Sequence, residues 1–300
     1  MSTRVPVRGP ILALTLLLAC RGEDAPSAAP WGFQDQPVQR FRLESDEQTV
    51  VDGERAEVQR YADFRLVHES VEKDRHELAL YLERYYLRVK GAPDGGSEIA
   101  LSERGLVIDD PERGRLRLGP TDPRPGGGPV AELLERPVAG CELSEQGRIL
   151  GSAWTSFDPI LSGVSLLDWV LLAFPLLDEP GRARWSGRRR VPPLGQYRLG
   201  IELPLFYERV GERVRASGQL RRSRLEVAPG FEGALELDLR GETELGEGGG
   251  VQQSTLELGM RFESSAGALV SALYRTRIRC LDCSEPINSP PGTPDTTDEE

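Results

Sequence analysis

In the last third of the chain, apolar residues fall on every second position. Tyr197, Leu199, Ile201, Leu203, Leu205 and Tyr207 alternate with a polar set that includes Arg198, Glu202 and Glu208. Past Gly211 the same period returns at Val214, Ala216, Gly218 and Leu220. It returns again at Leu235, Leu237 and Leu239, which face away from Glu236, Asp238 and Arg240. A glycine-rich turn runs from Gly246 to Gly250. Beyond it come Leu256, Leu258, Met260 and Phe262, opposite Glu257, Arg261 and Glu263, and then Ala272, Tyr274, Thr276, Ile278 and Cys280. A period of two with one apolar and one wet face marks a half-buried strand. Five such runs joined by short turns predict an antiparallel meander.

The first half gives a more mixed signal. Leu78, Leu80 and Leu82 alternate, as do Tyr85, Leu87 and Val89, yet Val71 to Leu82 also fits a helix by composition. The Asp94-Gly95-Gly96 turn and the short runs Ile99/Leu101 and Leu106/Ile108 favour strands, so residues 48–90 are expected to be mainly strand. Four prolines and four glycines within residues 119–129 predict a loop. A hairpin is expected across Val138–Leu143 and Arg148–Ala153, joined around Gln146-Gly147.

Asp158-Pro159 opens the most apolar internal segment, Ile160 to Leu177. Asp158 suits the N-cap and Pro159 the first helical position, and Pro175 marks the end. Ser162, Ser165 and Asp168 form one narrow polar stripe, while Leu161, Val164, Leu167, Trp169, Leu171 and Phe174 are apolar. Such a helix must be covered on most of its surface. Its apolar residues are expected to cover the sheet or to wall a site for an apolar ligand. Asp168 at its centre argues against a membrane span, at about 2.5–3.5 kcal/mol on insertion scales. The expected fold class is mainly β: a curved antiparallel meander sheet, an incomplete barrel or barrel-like, with one apolar covering helix near 159–174.

The N-terminus sets the compartment. Arg4 and Arg8 precede a mostly apolar run from Ile11 to Ala19, and Leu17-Leu18-Ala19-Cys20 closes it. This is the layout of a secretory signal, too short for the ~20 apolar residues of a span. The block Leu17-Leu18-Ala19-Cys20 resembles the lipobox of bacterial lipoproteins. The resemblance implies cleavage before Cys20, which becomes the acylated first residue of the mature chain. Two or more acyl chains hold a protein on a membrane, at about 0.8 kcal/mol per buried CH₂. In that class Arg21, rather than aspartate, after the cysteine favours the outer membrane facing the periplasm. The predicted outline also resembles the incomplete β-barrels of bacterial lipoprotein carriers and related envelope lipoproteins, in architecture alone, so no function transfers with it. The expected organisation is a signal peptide over 1–19, a flexible tether over 20–45, a single β-rich domain over 46–283 and a disordered acidic tail over 284–300. Trp31 and Phe33 interrupt the tether and are expected to dock on the domain.

Charge narrows the partners. The chain carries a formal −11, and loss of residues 1–19 removes Arg4 and Arg8 and no acid, leaving −13. A chain of this charge is not expected to seek nucleic acid or anionic lipid headgroups through bulk charge, and no nucleic-acid partner is expected. The membrane, through the anchor at Cys20, is the expected partner, together with an unidentified protein or lipid.

The candidate chemistry is sparse. Cys280-Leu281-Asp282-Cys283 is a C-x-x-C without the strand–helix context of a redox motif. A structural disulfide is expected, within that pair or from one of its members to Cys141. Three cysteines with His68 or His76 have spacing too scattered for zinc, so no metal or cofactor is expected. Two histidines and no G-x-S-x-G elbow give little support to a hydrolase triad. Glu202, Glu236 and Glu257 lie on the wet faces of strands that also carry arginine, the ordinary pattern of mixed surface charge. Arg188-Arg189-Arg190, near Arg182, Arg184 and Trp185, is the one basic cluster. It suits a phosphate-bearing lipid or glycan, but neutralising neighbouring acids is its expected role. No residue is assigned to catalysis. The expected function is non-enzymatic binding in the cell envelope. The alternative is a carrier or sensor of a lipid or other apolar ligand held between sheet and helix, and an envelope enzyme comes last.

Overall fold

The computed structural model describes residues 30–33, 35–72, 75–91, 96–150, 153–155, 166–177, 182–192, 201–228 and 231–283. Cys20, the signal segment, Leu161, Val164 and the tail over 284–300 lie outside the described residues.

The described residues build one antiparallel sheet of fourteen strands. The first group is β1 (Val38–Val51), β2 (Glu54–Glu72), β3 (Arg75–Lys90), β4 (Glu98–Ser102), β5 (Gly105–Asp110) and β6 (Gly114–Leu118). A short helix α1 (Glu132–Glu135), the strands β7 (Ala139–Leu143) and β8 (Trp154–Thr155), and the helix α2 (Leu166–Ala173) follow. The second group is β9 (Arg184–Arg190), β10 (Glu202–Val210), β11 (Arg213–Ala228), β12 (Phe231–Leu245), β13 (Val251–Ser264) and β14 (Leu269–Cys280). The strand order is β6-β5-β4-β3-β2-β1-β14-β13-β12-β11-β10-β9, with β7 branching from β3 and β8 pairing β7. The two meanders thus meet at the β1–β14 pair and grow outward from it. The sheet is not closed into a barrel.

Strand parity decides the core. Phe41 and Leu43 of β1, Phe64 and Leu66 of β2, Leu78, Leu80 and Leu82 of β3, Leu203 and Leu205 of β10, and Leu235, Leu237 and Leu239 of β12 are all buried. Each large side chain taken from water contributes about 1.5–3 kcal/mol. β2 and β3 resolve the helix-or-strand ambiguity of residues 48–90 in favour of strand, since tertiary pairing with β1 and β7 overrides local helix composition.

Curvature follows from the contacts of α2. The helix touches β9, at one end of the strand order, as well as β13, β14 and β7. Five interstrand steps of ~4.8 Å separate β9 from β14 in a flat sheet, more than the ~10 Å width of a helix. The sheet therefore wraps around α2. All residues of α2 except Asp168 are buried, including Leu167, Trp169 and Leu171, and Phe174 just beyond its end is fully buried.

Two boundaries differ from the sequence expectation. The β body starts at Val38, with Trp31 and Phe33 already in the core at 0% and 1% exposure, so the expected tether over 20–45 ends too late. The alternation Phe41/Leu43/Ser45/Glu47 is interrupted by polar residues, which hides the strand. The hairpin turn at Gln146-Gly147 is present, but β8 forms at Trp154–Thr155 rather than across Arg148–Ala153. Pairing there is held by the Leu143↔Ile149 bridge and by Leu150 N–H donating to Glu142 O.

Candidate functional site

The concave side is organised around the C-terminal end of α2. A helix end leaves carbonyls without intrahelical partners. Here four consecutive ones are taken by side chains from different elements. Ala173 O accepts from Thr243 Oγ1 at 3.1 Å and Ser254 Oγ at 2.7 Å. Phe174 O accepts from Arg189 Nη2 at 3.1 Å, Pro175 O from Trp31 Nε1 at 2.8 Å, and Leu176 O from Trp185 Nε1 at 2.9 Å. A guanidinium at a helix C-terminus is also favoured by the macrodipole. Around this clamp Trp31 meets Phe174 edge-on at 5.3 Å, Phe174 meets Phe41 at 5.4 Å, and Phe41 stacks on Phe64 at 5.8 Å. The expected cover helix is therefore integral core over its described part. Trp169 packs on Tyr274 with ring centroids 5.4 Å apart.

Several polar groups inside this core are paired. His68 Nε2 and His76 Nδ1 lie 2.9 Å apart, with Phe33 stacked on His68 at 5.4 Å. Burial, then the neighbouring His76, pushes the His68 pKa down to about 4. Glu47 faces Arg60 at 3.4 Å, and burial followed by the Glu47 charge raises the Tyr274 hydroxyl pKa. Burial pushes Tyr85 up to about 12 against the opposing effect of Arg60. Asp63 is pushed up by burial, but hydrogen bonds from Arg42 and Tyr61 outweigh this and hold its carboxyl below the usual range.

Cys280 and Cys283 form a disulfide, which settles the pairing within the C-x-x-C. Cys141 is a buried free thiol, pushed up to about 12 by burial. Cys280 and Cys283 lie close to Asp282, with their sulfurs joined in the disulfide, and neither Cys141 nor a histidine belongs to that group.

The outward face carries a trough of about 1030 Å³ across β9–β14 and β1. Strand register lines it with two rows of alternating charge. One row runs Glu44, Arg277, Thr255, Glu242, Arg215, Glu208, Arg184, each directly opposite the next on the neighbouring strand. The second runs Asp46, Arg275, Glu257, Arg240, Ser217, Phe206. Opposite charges directly across a ladder each contribute roughly 0.2–1 kcal/mol. Glu257–Arg275 at 3.0 Å and Glu242–Arg215 at 3.0 Å are closed pairs. Glu236 pairs with Arg222 at 3.2 Å and Glu202 with Arg188 at 3.9 Å, so the three acids weighed for glycoside chemistry are ion-paired wet-face residues. Phe206 breaks the polar character of the trough and is 64% exposed. Its position was legible: it sits on the wet parity of β10, between inward Leu205 and Tyr207.

The basic cluster divides in two. Arg184 pairs with Glu208 at the end of the first row, and Arg188 with Glu202, as neutralising groups. Arg189 is instead buried and bound to carbonyl oxygens, Phe174 O and Gly147 O, the latter at 2.7 Å.

No protein-family model and no curated protein sequence matches the chain. Among solved structures, similarity extends to lipovitellin, at 10% identity and TM-score 0.46 over 81% of this chain. The chain spans about a quarter of the lipovitellin chain's length, 25%. It extends also to an outer membrane channel from Pseudomonas putida, at 9% identity and TM-score 0.28 over 86% of this chain and 98% of that one. A DUF1329 family protein from Desulfovibrio piger shows 10% identity and TM-score 0.17 over 85% of this chain and 90% of that one. At these scores the overlaps define no shared fold.

Proposed function

We propose that this chain is a lipid-anchored protein of the bacterial cell envelope, held through Cys20 on the outer membrane facing the periplasm, and that it works by binding a partner protein in the outward trough. The observation that carries this reading is Phe206, a large apolar side chain left 64% exposed on the wall of a concavity of about 1030 Å³ that is also lined by charged side chains, several of them ion-paired. An aromatic anchor surrounded by polar groups is the composition of a protein-binding patch. The arginines and acids of the trough neutralise one another across the strands, which suits a surface that matches mixed charge on a partner rather than one that moves protons. The apolar surface of α2, which motivates an apolar-ligand role, is taken up over Leu166–Ala173 by contact with the protein's own core.

The test places a photo-cross-linking amino acid at position 206 in living cells, with position 116 on the distant strand β6 as control. A discrete adduct at 206, absent at 116 and reduced in a Cys20→Ala variant that no longer incorporates labelled palmitate, is expected. No adduct at 206, or the same adducts at both positions, overturns the trough as the binding surface. Palmitate incorporation that persists in Cys20→Ala overturns the anchor.

A further inference from the structure

A second cleft, sharing no residue with the trough, lies at the end of the strand order. It measures about 540 Å³ and is lined by Arg148, Ile149, Ala153, Asp168, Gly187, Arg188, Arg189, Arg190 and Glu202. That volume falls within the ~300–1,000 Å³ of small-molecule sites. Its walls are the β7–β8 hairpin, α2 and strand β9, which pairs with β10 on one side and ends the sheet on the other.

Charge in this cleft runs against the rest of the chain. Four arginines face two acids, in a protein whose formal charge is −11. Glu202 is engaged by Arg188 at 3.9 Å. Arg190 stands directly across the ladder from Glu202, the carboxylate that Arg188 engages. Arg189 is 4% exposed, and its Nε is a buried N–H without a hydrogen-bond acceptor, although its two terminal nitrogens bond to Gly147 O and Phe174 O. Burial, the largest cause, holds the Arg189 pKa down; the neighbouring Tyr207 hydroxyl acts the other way, and the Arg148 charge adds a smaller push downward. Like charges gathered around a concavity are stabilised when an anion enters between them.

The geometry points to this cleft as a binding site for a phosphomonoester group, gripped by Arg148 and Arg190 with Arg189 on the back wall. Its four arginines and two acids leave a surplus of two positive charges, which matches the ~1.5–2 negative charges of a phosphomonoester near neutral pH. Planar guanidinium groups suit phosphate oxygens better than a point charge does. The phosphate can belong to a free small molecule or to a lipid headgroup such as that of phosphatidic acid. The room beside Ile149 and Ala153 accommodates the group it is attached to.

Calorimetric titration of the purified full chain at pH 7.5 tests this, with sodium phosphate against sodium chloride at equal ionic strength. Saturable binding of phosphate, absent with chloride, is expected. Arg148→Gln/Arg190→Gln leaves the Arg189 clamp on α2 in place, and its thermal midpoint in chloride is expected close to the wild-type value. Its phosphate affinity falls roughly tenfold or more, the factor that follows from losing a charge-assisted hydrogen bond. Dihexanoyl phosphatidic acid binding more tightly than phosphate assigns the site to a lipid headgroup, and equal binding assigns it to free phosphate. The wild-type comparison stands by itself if the double variant does not fold. No saturable phosphate binding, or binding unchanged in a folded double variant, overturns the inference.

Discussion

The buried histidine pair makes the stability of this protein depend on pH in a way its carboxylates do not. His68 Nε2 and His76 Nδ1 share one hydrogen at 2.9 Å, under the ring of Phe33. An N–H···N bond needs one nitrogen without a proton, so a second proton on the pair removes the acceptor. With a folded pKa of about 4 against 6.5 for an unperturbed histidine, the unfolded chain takes up a proton at His68 before the native chain does. Stability is therefore complete above pH ~6.5, falls as pH drops through the interval between the two values, and levels off below pH ~4. Integrating the difference in bound protons from pH 7.5 to 4.5 gives a loss of about 2.5 kcal/mol from this one side chain. Urea unfolding of wild type and His68→Gln at both pH values isolates it. The variant is less stable at pH 7.5 by about 1–2 kcal/mol for the lost hydrogen bond and contact, and its profile between the two pH values is flatter by about 2.5 kcal/mol. Parallel profiles for the two proteins refute the reasoning, because carboxylates titrate alike in both.

Three further outcomes follow from the packing. Trp31→Ala removes a ring at 0% exposure together with its donor to Pro175 O, and should cost about 3–5 kcal/mol in urea unfolding. A loss under about 1 kcal/mol would show that the segment before β1 is not part of the body. Gly147→Ala places a Cβ 2.5 Å from Trp31 Cζ2 at a φ of +72°, and should cost about 1–3 kcal/mol by strain and displacement of that ring. A thermal midpoint equal to wild type would sink that expectation. Cys141, buried with its pKa pushed up to about 12, should resist iodoacetamide at pH 8 in the native protein. Without reductant, Cys141 alone among Cys141, Cys280 and Cys283 should be carbamidomethylated on unfolding, as read by peptide mass spectrometry. A labelled Cys280 or Cys283 under those conditions would contradict the disulfide.

What the sequence made legible follows from where each signal is stored. β10–β14 are written locally, one apolar residue on every second position, and all five form along the described part of that alternation; Tyr197 and Leu199 lie outside the described residues. β1 is written less plainly, because its inward positions beyond Leu43 are Ser45 and Glu47, which meet Thr276 and Tyr274 across the β1–β14 seam. Only the partner strand shows that a serine hydroxyl at 3.2 Å from Thr276 Oγ1 belongs inside. β9 is the extreme case. Its inward residues are Trp185, Gly187 and Arg189, a set with no apolar period, and each is chosen by the end of α2. Gly187 leaves room where a Cβ would meet Leu176 Cδ1, while Trp185 and Arg189 donate to carbonyls that a helix terminus cannot satisfy itself. Read along the chain, Arg188-Arg189-Arg190 is a run of like charge. Read across the fold, it alternates between a helix clamp at Arg189 and cleft walls at Arg188 and Arg190. The two charge rows of the trough were hidden for the same reason: each row takes a single residue from each strand it crosses, so no window of sequence contains it, and register alone brings Glu44 and Arg184 to opposite ends of one line.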